Sequence, residues 1–452
     1  MTGPSDVTRA LSGFICGARW EQLPDTVRHE GKRAILNFVA TALAGCREGA
    51  IEHTLTSLMM FSKGGQATLI GRTERVDALS AAFLNAASGN VFDFDDTHLS
   101  TVIHPTAPVA PALLALAEMR PVSGRNLLLA FALGVEIECR LGNAISPEHY
   151  ARGWHITSTC GTLGAAAASG KLLSLDTERT IWAIGAAATQ TGGLVECLGT
   201  PTKSLSVGNA ARSGLWSALL AERGFRGPPA PIEGRQGYLS ALAPSTIDWA
   251  ALRDGLGETW ELSKNTYKPY PGGIVVHPVI DAALALRQEP GFTLQSIERI
   301  VVRGHPLLAA RADRPLVTTG REAQVSVQHS VAAALLFGEA SLAQYTDACV
   351  RDPAVLALRA KIEVEQDETI DVAAATLHMR SKDGASRVVN ITAARGSLAR
   401  PLTDREIEDK LRALAAGWCA THNIQPLIDA VWALDRADDA SLLVRLVVPA
   451  QT

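Results

Sequence analysis

The sequence predicts a mostly α-helical protein with a smaller α+β part inserted before its C-terminal helices. Three observations predict this fold class. Apolar residues recur with a helical period over much of residues 27–223. A segment rich in proline and glycine, residues 267–273, then interrupts the pattern, because both residue types break helices. Strand patterns appear after that segment.

The first part of the chain is predicted to be helix after helix. The helix at residues 159–173 is dominated by Gly and Ala, so we expect it to be buried and to pack tightly on its neighbours. Asp176 is expected to cap the helix that follows, and Gly224 to end the last one. The predicted helices cover residues 27–44, 76–88, 126–145, 159–173, 177–189 and 204–223.

The later part is predicted to contain a strand at residues 296–303 and a hairpin at 372–380 and 386–392. The hairpin is indicated by Asp383-Gly384, a favoured turn dipeptide. Helices return near Thr403. We therefore expect a helical domain over residues 1–265 and 400–452, and an α+β lid domain over residues 266–399.

Composition excludes several classes of protein. The 452 residues carry 42 Lys and Arg against 46 Asp and Glu, so a basic surface for nucleic acid is not expected. The longest apolar runs fall short of the roughly 20 residues that cross a bilayer. Residues 1–6 lack a signal-peptide pattern, and the seven cysteines are scattered without a C-x-x-C pair. These features predict a cytoplasmic protein with reduced thiols and no membrane or nucleic-acid partner.

Three carboxylates lie close together among aromatic residues in the stretch at residues 90–98. Asp93, Asp95 and Asp96 follow a predicted helix. One interpretation is a solvated helix end whose acids face water. The other is a functional site in which Phe92 and Phe94 lower the local polarity and perturb one acid.

Two histidines precede predicted helices. His104 stands before a proline-rich helix start, where the helix dipole disfavours an imidazolium and leaves a neutral base; a capping histidine is the alternative. His155 and Tyr150 flank the start of the Gly/Ala-rich helix, whose free amides favour an anion. The alternative there is a loop in which Trp154 plugs the core.

Two lysines and two further histidines complete a polar set. A lone lysine before a helix is usually a surface residue, but Lys203 and Lys268 repeat the pattern. Histidines suit proton transfer near neutral pH, and lysines supply positive charge for a substrate rich in carboxylates. No zinc-ligand spacing, P-loop or nucleophile-elbow motif is present. The set comprises Asp93, His104, His155, Lys203, Lys268, His277 and His329.

In their order along the chain, these segments resemble the MmgE/PrpD family, which includes 2-methylcitrate dehydratase, cis-aconitate decarboxylase and iminodisuccinate epimerase. The resemblance extends over about residues 80–340. Each segment alone is weak evidence, but the ordered set is specific. The matching segments are residues 93–97, 104–105, 153–155 with the following helix, 203 with 208–211, 268–271 with 277, and 324–334.

The resemblance implies a large helical domain built from both chain ends, a smaller α+β lid and a site in the cleft between them. It also implies a homodimer with no metal or organic cofactor. We expect five residues to act in catalysis: His104, His155, Asp93, Lys203 and Lys268. By resemblance Thr97 and His277, and by their positions Tyr150 and His329, are expected to bind the substrate.

The activities of the family share proton transfer at a carbon next to a carboxylate. For this chain we favour dehydration of a substrate like 2-methylcitrate or citrate. The alternatives are a cis-aconitate-type decarboxylase, an iminodisuccinate-type epimerase and, from another class, a non-catalytic helical binding protein. Several members have a tyrosine after Ser-x-Pro where this chain has Ser326-Val327-Gln328-His329, which argues against a reaction that needs that tyrosine. Gly272-Gly273 replaces a cysteine of some relatives, so no thiol is expected to act there.

Overall fold

A computed structural model describes residues 6–449. The chain divides into two compact units. Unit 1 comprises Met1–Val91, Asp95–Asn265 and Asp404–Thr452, and unit 2 comprises Phe92–Phe94 and Thr266–Thr403. Helices dominate and strands are few, so the predicted fold class is confirmed.

Unit 1 begins with a succession of helices in which the predicted helices all appear. The helix bounds are Val7–Gly17 (α1), Asp25–Gly45 (α2), Gly49–Leu58 (α3), Ala78–Asn90 (α4), Thr106–Met119 (α5), Gly124–Ile145 (α6), Glu148–Ala151 (α7), Ile156–Leu172 (α8), Thr177–Ala188 (α9), Thr202–Glu222 (α10), Tyr238–Leu242 (α11) and Trp249–Arg253 (α12). Two-residue strands occur at Ala67–Thr68 (β1), Arg75–Val76 (β2), Thr97–His98 (β3) and Asn265–Thr266 (β4). The Asp176 side chain caps α9, as predicted.

The Gly/Ala-rich helix α8 lies at the centre of unit 1. Its residues from Ile156 to Gly170 are all buried, and it packs against α5, α6, α9 and α10. Small side chains allow this close approach. A Cβ atom at Gly214 in α10 would lie only 2.4 Å from the Ala165 Cβ and 2.7 Å from the Thr162 carbonyl oxygen. The contact of α8 with α10 therefore depends on the absence of a side chain at Gly214.

Unit 2 combines helices with a four-stranded sheet. Its helices are His277–Gln288 (α13), Pro306–Ala312 (α14), Gly320–Ala323 (α15), Val327–Phe337 (α16), Asp347–Val350 (α17) and Pro353–Arg359 (α18). Its strands are Ile297–Gly304 (β5), Ile362–Gln366 (β6), Ala375–Ser381 (β7) and Ser386–Ile391 (β8). The sheet order is β6-β5-β7-β8; β5 and β6 are parallel, and the other pairs are antiparallel.

The predicted hairpin is confirmed as β7 and β8. Arg380 pairs with Ser386 beside the turn, and Gly384 adopts a φ of 87° there. The buried face of the sheet, with Ile300 and Leu377, packs into one apolar core with the inner residues of α13 and α16. Unit 2 is thus a sheet covered by helices.

The chain returns to unit 1 for its last helices, Asp404–Trp418 (α19), Gln425–Trp432 (α20) and Leu442–Arg445 (α21). Helix α19 packs on α2. At its start the Asp404 carboxylate accepts hydrogen bonds from Arg33 and His29, and further along Lys410 donates to Asn37 at 2.8 Å. The two ends of the chain are therefore joined by packing and by polar contacts.

Two further expectations concern membranes and thiols. Among residues 6–449, no single helix is both long and apolar enough to cross a membrane; only α2 and α3 taken together meet that length and composition, and they are bent by 86°. All seven cysteines are free thiols.

The packing of α8 on α10 gives a first prediction. Gly214→Ala should destabilise the protein by about 1–3 kcal/mol, because the added methyl group overlaps Ala165 and the Thr162 carbonyl. A thermal unfolding curve measures the effect. The matched control is Gly13→Ala in α1, where a Cβ would meet nothing within 4 Å; it should raise stability by up to about 1 kcal/mol. Equal effects of the two substitutions would contradict the packing argument.

Candidate active site

His104 lies just before α5 in unit 1, and one edge of its ring faces oxygen atoms. Its Nδ1 atom is 2.9 Å from the Asp96 carbonyl oxygen, 3.2 Å from Asp95 Oδ1 and 3.4 Å from Thr97 Oγ1. Its backbone N–H donates to Thr157 Oγ1 in the first turn of α8. The predicted site residues His104 and Thr97 are therefore in contact, and the approach to α5 is tied to the start of α8.

Lys203 lies in the first turn of α10, on the other edge of the His104 ring. Its Nζ atom is 3.4 Å from His104 Nε2. Only 4% of Lys203 is exposed, so the alternative of a surface lysine is wrong. An ammonium group with little water around it attracts anions more strongly than one in bulk solvent. A potential base and a fixed cation thus lie side by side.

His155 is joined to the same region through two serines. It stands directly before α8, and its Nδ1 atom is 2.8 Å from Ser158 Oγ and 3.2 Å from Ser206 Oγ. Ser206 also donates a hydrogen bond of 2.7 Å to the Lys203 carbonyl oxygen. The starts of α8 and α10 are therefore held together beside His104. Unit 1 brings together four predicted site residues: Thr97, His104, His155 and Lys203.

Two of the three acids after α4 do not face water. Asp95 and Asp96 are at most 1% exposed, so the interpretation of a solvated helix end is wrong for both. Burial raises the pKa of Asp96 to about 7; the charge of Asp95 adds to this rise, and hydrogen bonds from Thr106 and Asn265 oppose it. One acid of the stretch is therefore perturbed, as the other interpretation predicted.

Asp93 and Lys268 form a second cluster, in unit 2. The Lys268 Nζ atom donates to both the carbonyl oxygen and Oδ1 of Asp93, each at 2.9 Å. Asp93 adopts a φ of 52°, a left-handed conformation that aspartate tolerates better than most residues. The Gly272 N–H donates to the Asp93 carbonyl, and a Cβ at Gly272 would lie 2.1 Å from the Gln324 carbonyl oxygen. The Pro/Gly-rich segment thus positions Lys268 against Asp93.

The remaining predicted residues of unit 2 lie at the starts of helices. His277 begins α13 and meets the ring of Tyr270 edge-on, with ring centroids 5.7 Å apart. His329, in α16, is fully buried and donates from Nε2 to the Gln344 carbonyl at 2.7 Å. Burial lowers the pKa of His329, so its neutral form is favoured. Roles for both histidines in substrate binding stay predictions.

Tyr150 and Trp154 belong to a hydrophobic core of unit 1. Both are partly buried against the cluster that contains Ile156 and Leu163, which fits the interpretation that Trp154 plugs the core. Neighbouring His149 is fully buried, and burial lowers its pKa to about 4. A role for Tyr150 in binding substrate stays a prediction.

Sequence reasoning missed three residues that contact the unit 1 cluster. Asp95 was grouped with its neighbours and not singled out, although it is the acid whose carboxylate lies beside His104. Asn90 donates to Asp95 Oδ2 at 2.7 Å, and Ser206 joins His155 to Lys203. Hydroxyl and amide side chains at helix ends are too common to indicate a site by themselves.

Comparisons with known proteins cover nearly the whole chain. Residues 9–249 match the MmgE/PrpD N-terminal domain, and residues 270–436 match the MmgE/PrpD C-terminal domain. The chain is 29% identical to a cis-aconitate decarboxylase of Mus musculus, over 98% of this chain and 93% of that protein. It is 28% identical to the cis-aconitate decarboxylase of Homo sapiens, over 98% and 94%. It is also 28% identical to the cis-aconitate decarboxylase-like protein oryM of Aspergillus oryzae, over 99% and 98%.

Asp96 gives a prediction about pH. Its pKa is raised from an ordinary 3.8 to about 7, so the folded state holds the proton more tightly. The stability that Asp96 contributes is full below about pH 4 and is lost as the pH rises towards 7. Asp96→Asn mimics the protonated form. As the pH rises from about 5 to about 8, the free energy of unfolding of this variant should therefore increase by on the order of 1–3 kcal/mol relative to that of the unsubstituted protein. Thermal unfolding at each pH measures the difference.

The control for this measurement is Asp77→Asn at the start of α4. Burial alone would raise the pKa of Asp77, but hydrogen bonds from Ser62 and Ser80 outweigh it and lower the pKa below 3.8. Its titration is then complete before about pH 5, so the stability difference of this variant should stay constant over the same range. A constant difference for Asp96→Asn as well would show that Asp96 is not held protonated.

Proposed function

The chain belongs to the MmgE/PrpD family, and we propose that it is a lyase that removes a carboxyl group from a small tricarboxylate of the cis-aconitate type. The full-length similarity to cis-aconitate decarboxylases supports the reaction. The contact of His104 Nε2 with Lys203 Nζ at 3.4 Å is the structural observation that carries the proposal. It pairs a proton-transfer group with a cation in a buried setting.

The chemistry of decarboxylation requires both members of that pair. When the carbon–carbon bond to a carboxylate breaks, carbon dioxide leaves and its electron pair stays on a substrate that already carries negative charge. A preorganised cation offsets this charge best where water is scarce. The Lys203 ammonium has this role in our proposal, and the electron pair is then taken up by a proton at carbon. His104, which is bonded on its other edge through Nδ1 and takes up a proton at Nε2 before this step, is the proposed proton donor.

The helix starts around this pair also favour an anionic substrate. α5, α8 and α10 begin beside His104, His155 and Lys203 respectively. Backbone N–H groups in the first turn of a helix carry partial positive charge and favour carboxylates. The proposed substrate carboxylates are thus offered both fixed charge and backbone dipoles. Contributions from Asp93, Lys268 and His277 are part of the proposal by family resemblance.

Dehydration of a substrate like 2-methylcitrate, which the sequence analysis favours, is the second candidate. One observation supports it. His329 occupies the position where several members have a tyrosine, and it donates to the Gln344 carbonyl from within α16. A reaction that uses the tyrosine hydroxyl as acid or base has no such group here. Dehydration needs a proton acceptor at carbon and an acid for the departing hydroxyl, and His104 and His155 are the proposed pair.

A substrate panel separates these reactions. Purified protein should consume cis-aconitate with one carbon dioxide released per molecule, followed by proton NMR and carbon dioxide detection. Loss of water from 2-methylcitrate or citrate without carbon dioxide would select dehydration instead. Inversion of iminodisuccinate would select an epimerase. Inactivity towards all four compounds would contradict the proposed class of substrate and favour a non-catalytic binding protein. Light scattering on the same sample tests the proposed homodimer.

Lys203→Ala tests the role of the buried cation. We expect kcat/KM to fall at least about a hundredfold, because the developing negative charge loses its nearest positive partner. The melting temperature should change little, since removing a buried ammonium also removes its cost of dehydration. The control is Lys264→Ala, whose half-exposed ammonium pairs with Glu261 in the same unit; its turnover should stay within about twofold. Undiminished turnover of Lys203→Ala would refute the electrostatic role.

A further inference from the structure

We propose that Asp95 is a positioning residue that fixes the tautomer of His104, and that Asn90 and Ser204 hold Asp95 in place for this purpose. The inference rests on the proposed function for its catalytic meaning. Its structural content, the position of one proton on His104, is measurable in the absence of any substrate.

The surroundings of the His104 ring determine which nitrogen carries the proton. Nδ1 faces the Asp96 carbonyl at 2.9 Å and the Asp95 carboxylate at 3.2 Å, and neither of these oxygens can donate to it. Nε2 faces the Lys203 ammonium at 3.4 Å, which has no lone pair to offer. The Thr97 hydroxyl, 3.4 Å from Nδ1, can accept as well as donate, so it is compatible with a proton on Nδ1. With its proton on Nδ1, the neutral ring satisfies both of these edges. Nε2 then keeps its lone pair towards Lys203.

Asp95 is itself held by a series of hydrogen bonds that connects it to α10. Its Oδ2 accepts from Asn90 Nδ2 at 2.7 Å, and Asn90 Oδ1 accepts from Ser204 Oγ at 3.2 Å. Ser204 directly follows Lys203 in the sequence, so these contacts close into a hydrogen-bond ring. This hydrogen-bond ring runs through five residues, all of them buried: Lys203, His104, Asp95, Asn90 and Ser204.

A closed ring of this kind fixes geometry more firmly than a single pair of contacts. α4 supplies Asn90, the segment before α5 supplies Asp95 and His104, and α10 supplies Lys203 and Ser204. Shifting any one of these elements breaks a hydrogen bond between buried groups, which costs about 1–3 kcal/mol. The ring thereby sets both the orientation of the imidazole and its distance from the ammonium.

The charged groups around His104 within unit 1 support the same tautomer. Asp95 faces Nδ1 and Lys203 faces Nε2. Asp96 contributes its carbonyl oxygen to His104, while its carboxyl group accepts from Thr106 and Asn265. A carboxylate on the far nitrogen makes the near nitrogen a better proton acceptor, as second partners of reactive histidines do in general. Asp95 therefore acts through His104 and not on the substrate.

Nitrogen-15 NMR of histidine-labelled protein tests the inference directly. The protein has 11 histidines, and His104→Gln assigns the signals of His104 by their disappearance. At a pH near 7.5 we expect the pattern of a neutral ring protonated on Nδ1. A ring protonated on Nε2 in the unsubstituted protein would overturn the inference, whatever substrate the enzyme uses.

Asp95→Asn provides the matching perturbation. The Asn90 Nδ2 group donates a hydrogen bond to this side chain and needs an acceptor. The new amide at position 95 therefore turns its oxygen towards Asn90. Its NH₂ group then faces His104 Nδ1. We expect the Nδ1–H signal to be lost and kcat to fall about a hundredfold or more, with KM changed by less than about threefold. Retention of the Nδ1–H signal in this variant would assign the tautomer to the Asp96 carbonyl alone and overturn the role of Asp95.

Asn90→Ala and Asn85→Ala separate positioning from stability. Both asparagines are buried in α4, but Asn85 bonds to Thr68 and Ile70 and takes no part in the ring. Both variants should lose comparable stability, while only Asn90→Ala should lower kcat, by about tenfold. Equal turnover of the two variants would overturn the role of Asn90. If no polycarboxylate is turned over at all, the proposed function fails, and the NMR result still decides the tautomer.

Discussion

The approach of an ammonium group to a neutral imidazole inside unit 1 is the interaction on which the candidate site depends. Lys203 and His104 are 99 positions apart in the sequence, and their nitrogen atoms are 3.4 Å apart. Neither group gains from this proximity unless the histidine offers a lone pair, so the arrangement presupposes a proton on the other nitrogen. The oxygens around Nδ1 supply the acceptors for that proton. The groups of the candidate site come from α4, α10 and the segments directly before α5 and α8, so their contacts depend on how those helices pack.

Small residues make that assembly possible. The helix α8 has buried residues on every side, and four other helices, α5, α6, α9 and α10, approach it closely because Gly and Ala leave room. The sequence predicted this from the run of small residues, and helical periodicity predicted the helices of unit 1. Boundaries were less predictable: α8 was expected to begin at residue 159 and begins at Ile156, because the His155 carbonyl accepts the first hydrogen bonds of the helix. The two-residue strands β1 and β2 were missed, since two residues carry no alternation.

The proximity of several predicted site residues was easier to predict than their hydrogen-bond partners. Thr97, His104, His155 and Lys203 were singled out by residue type and by position at helix starts, and unit 1 brings them together. The pairing of His104 with Asp95 was not predictable, because three neighbouring acids have the same chemistry. Asp93 adopts a φ of 52° and belongs to unit 2, where it pairs with Lys268. Asp95, two residues later, pairs with His104. Sequence spacing alone does not show which of these acids pairs with which base.

The balance of charge explains why neighbouring acids behave differently. Two adjacent buried carboxylates repel each other, and each also loses hydration. Asp95 faces His104, whereas burial raises the pKa of Asp96 to about 7 and that of Glu138 well above its ordinary value. Both shifts favour the protonated, uncharged form of these two acids. The buried acids of unit 1 therefore oppose the positive charge of Lys203 less than their number suggests. The proposed tricarboxylate carries more negative charge than Lys203 alone offsets, so the proposal calls for further cations, with Lys268 the foremost candidate from the sequence.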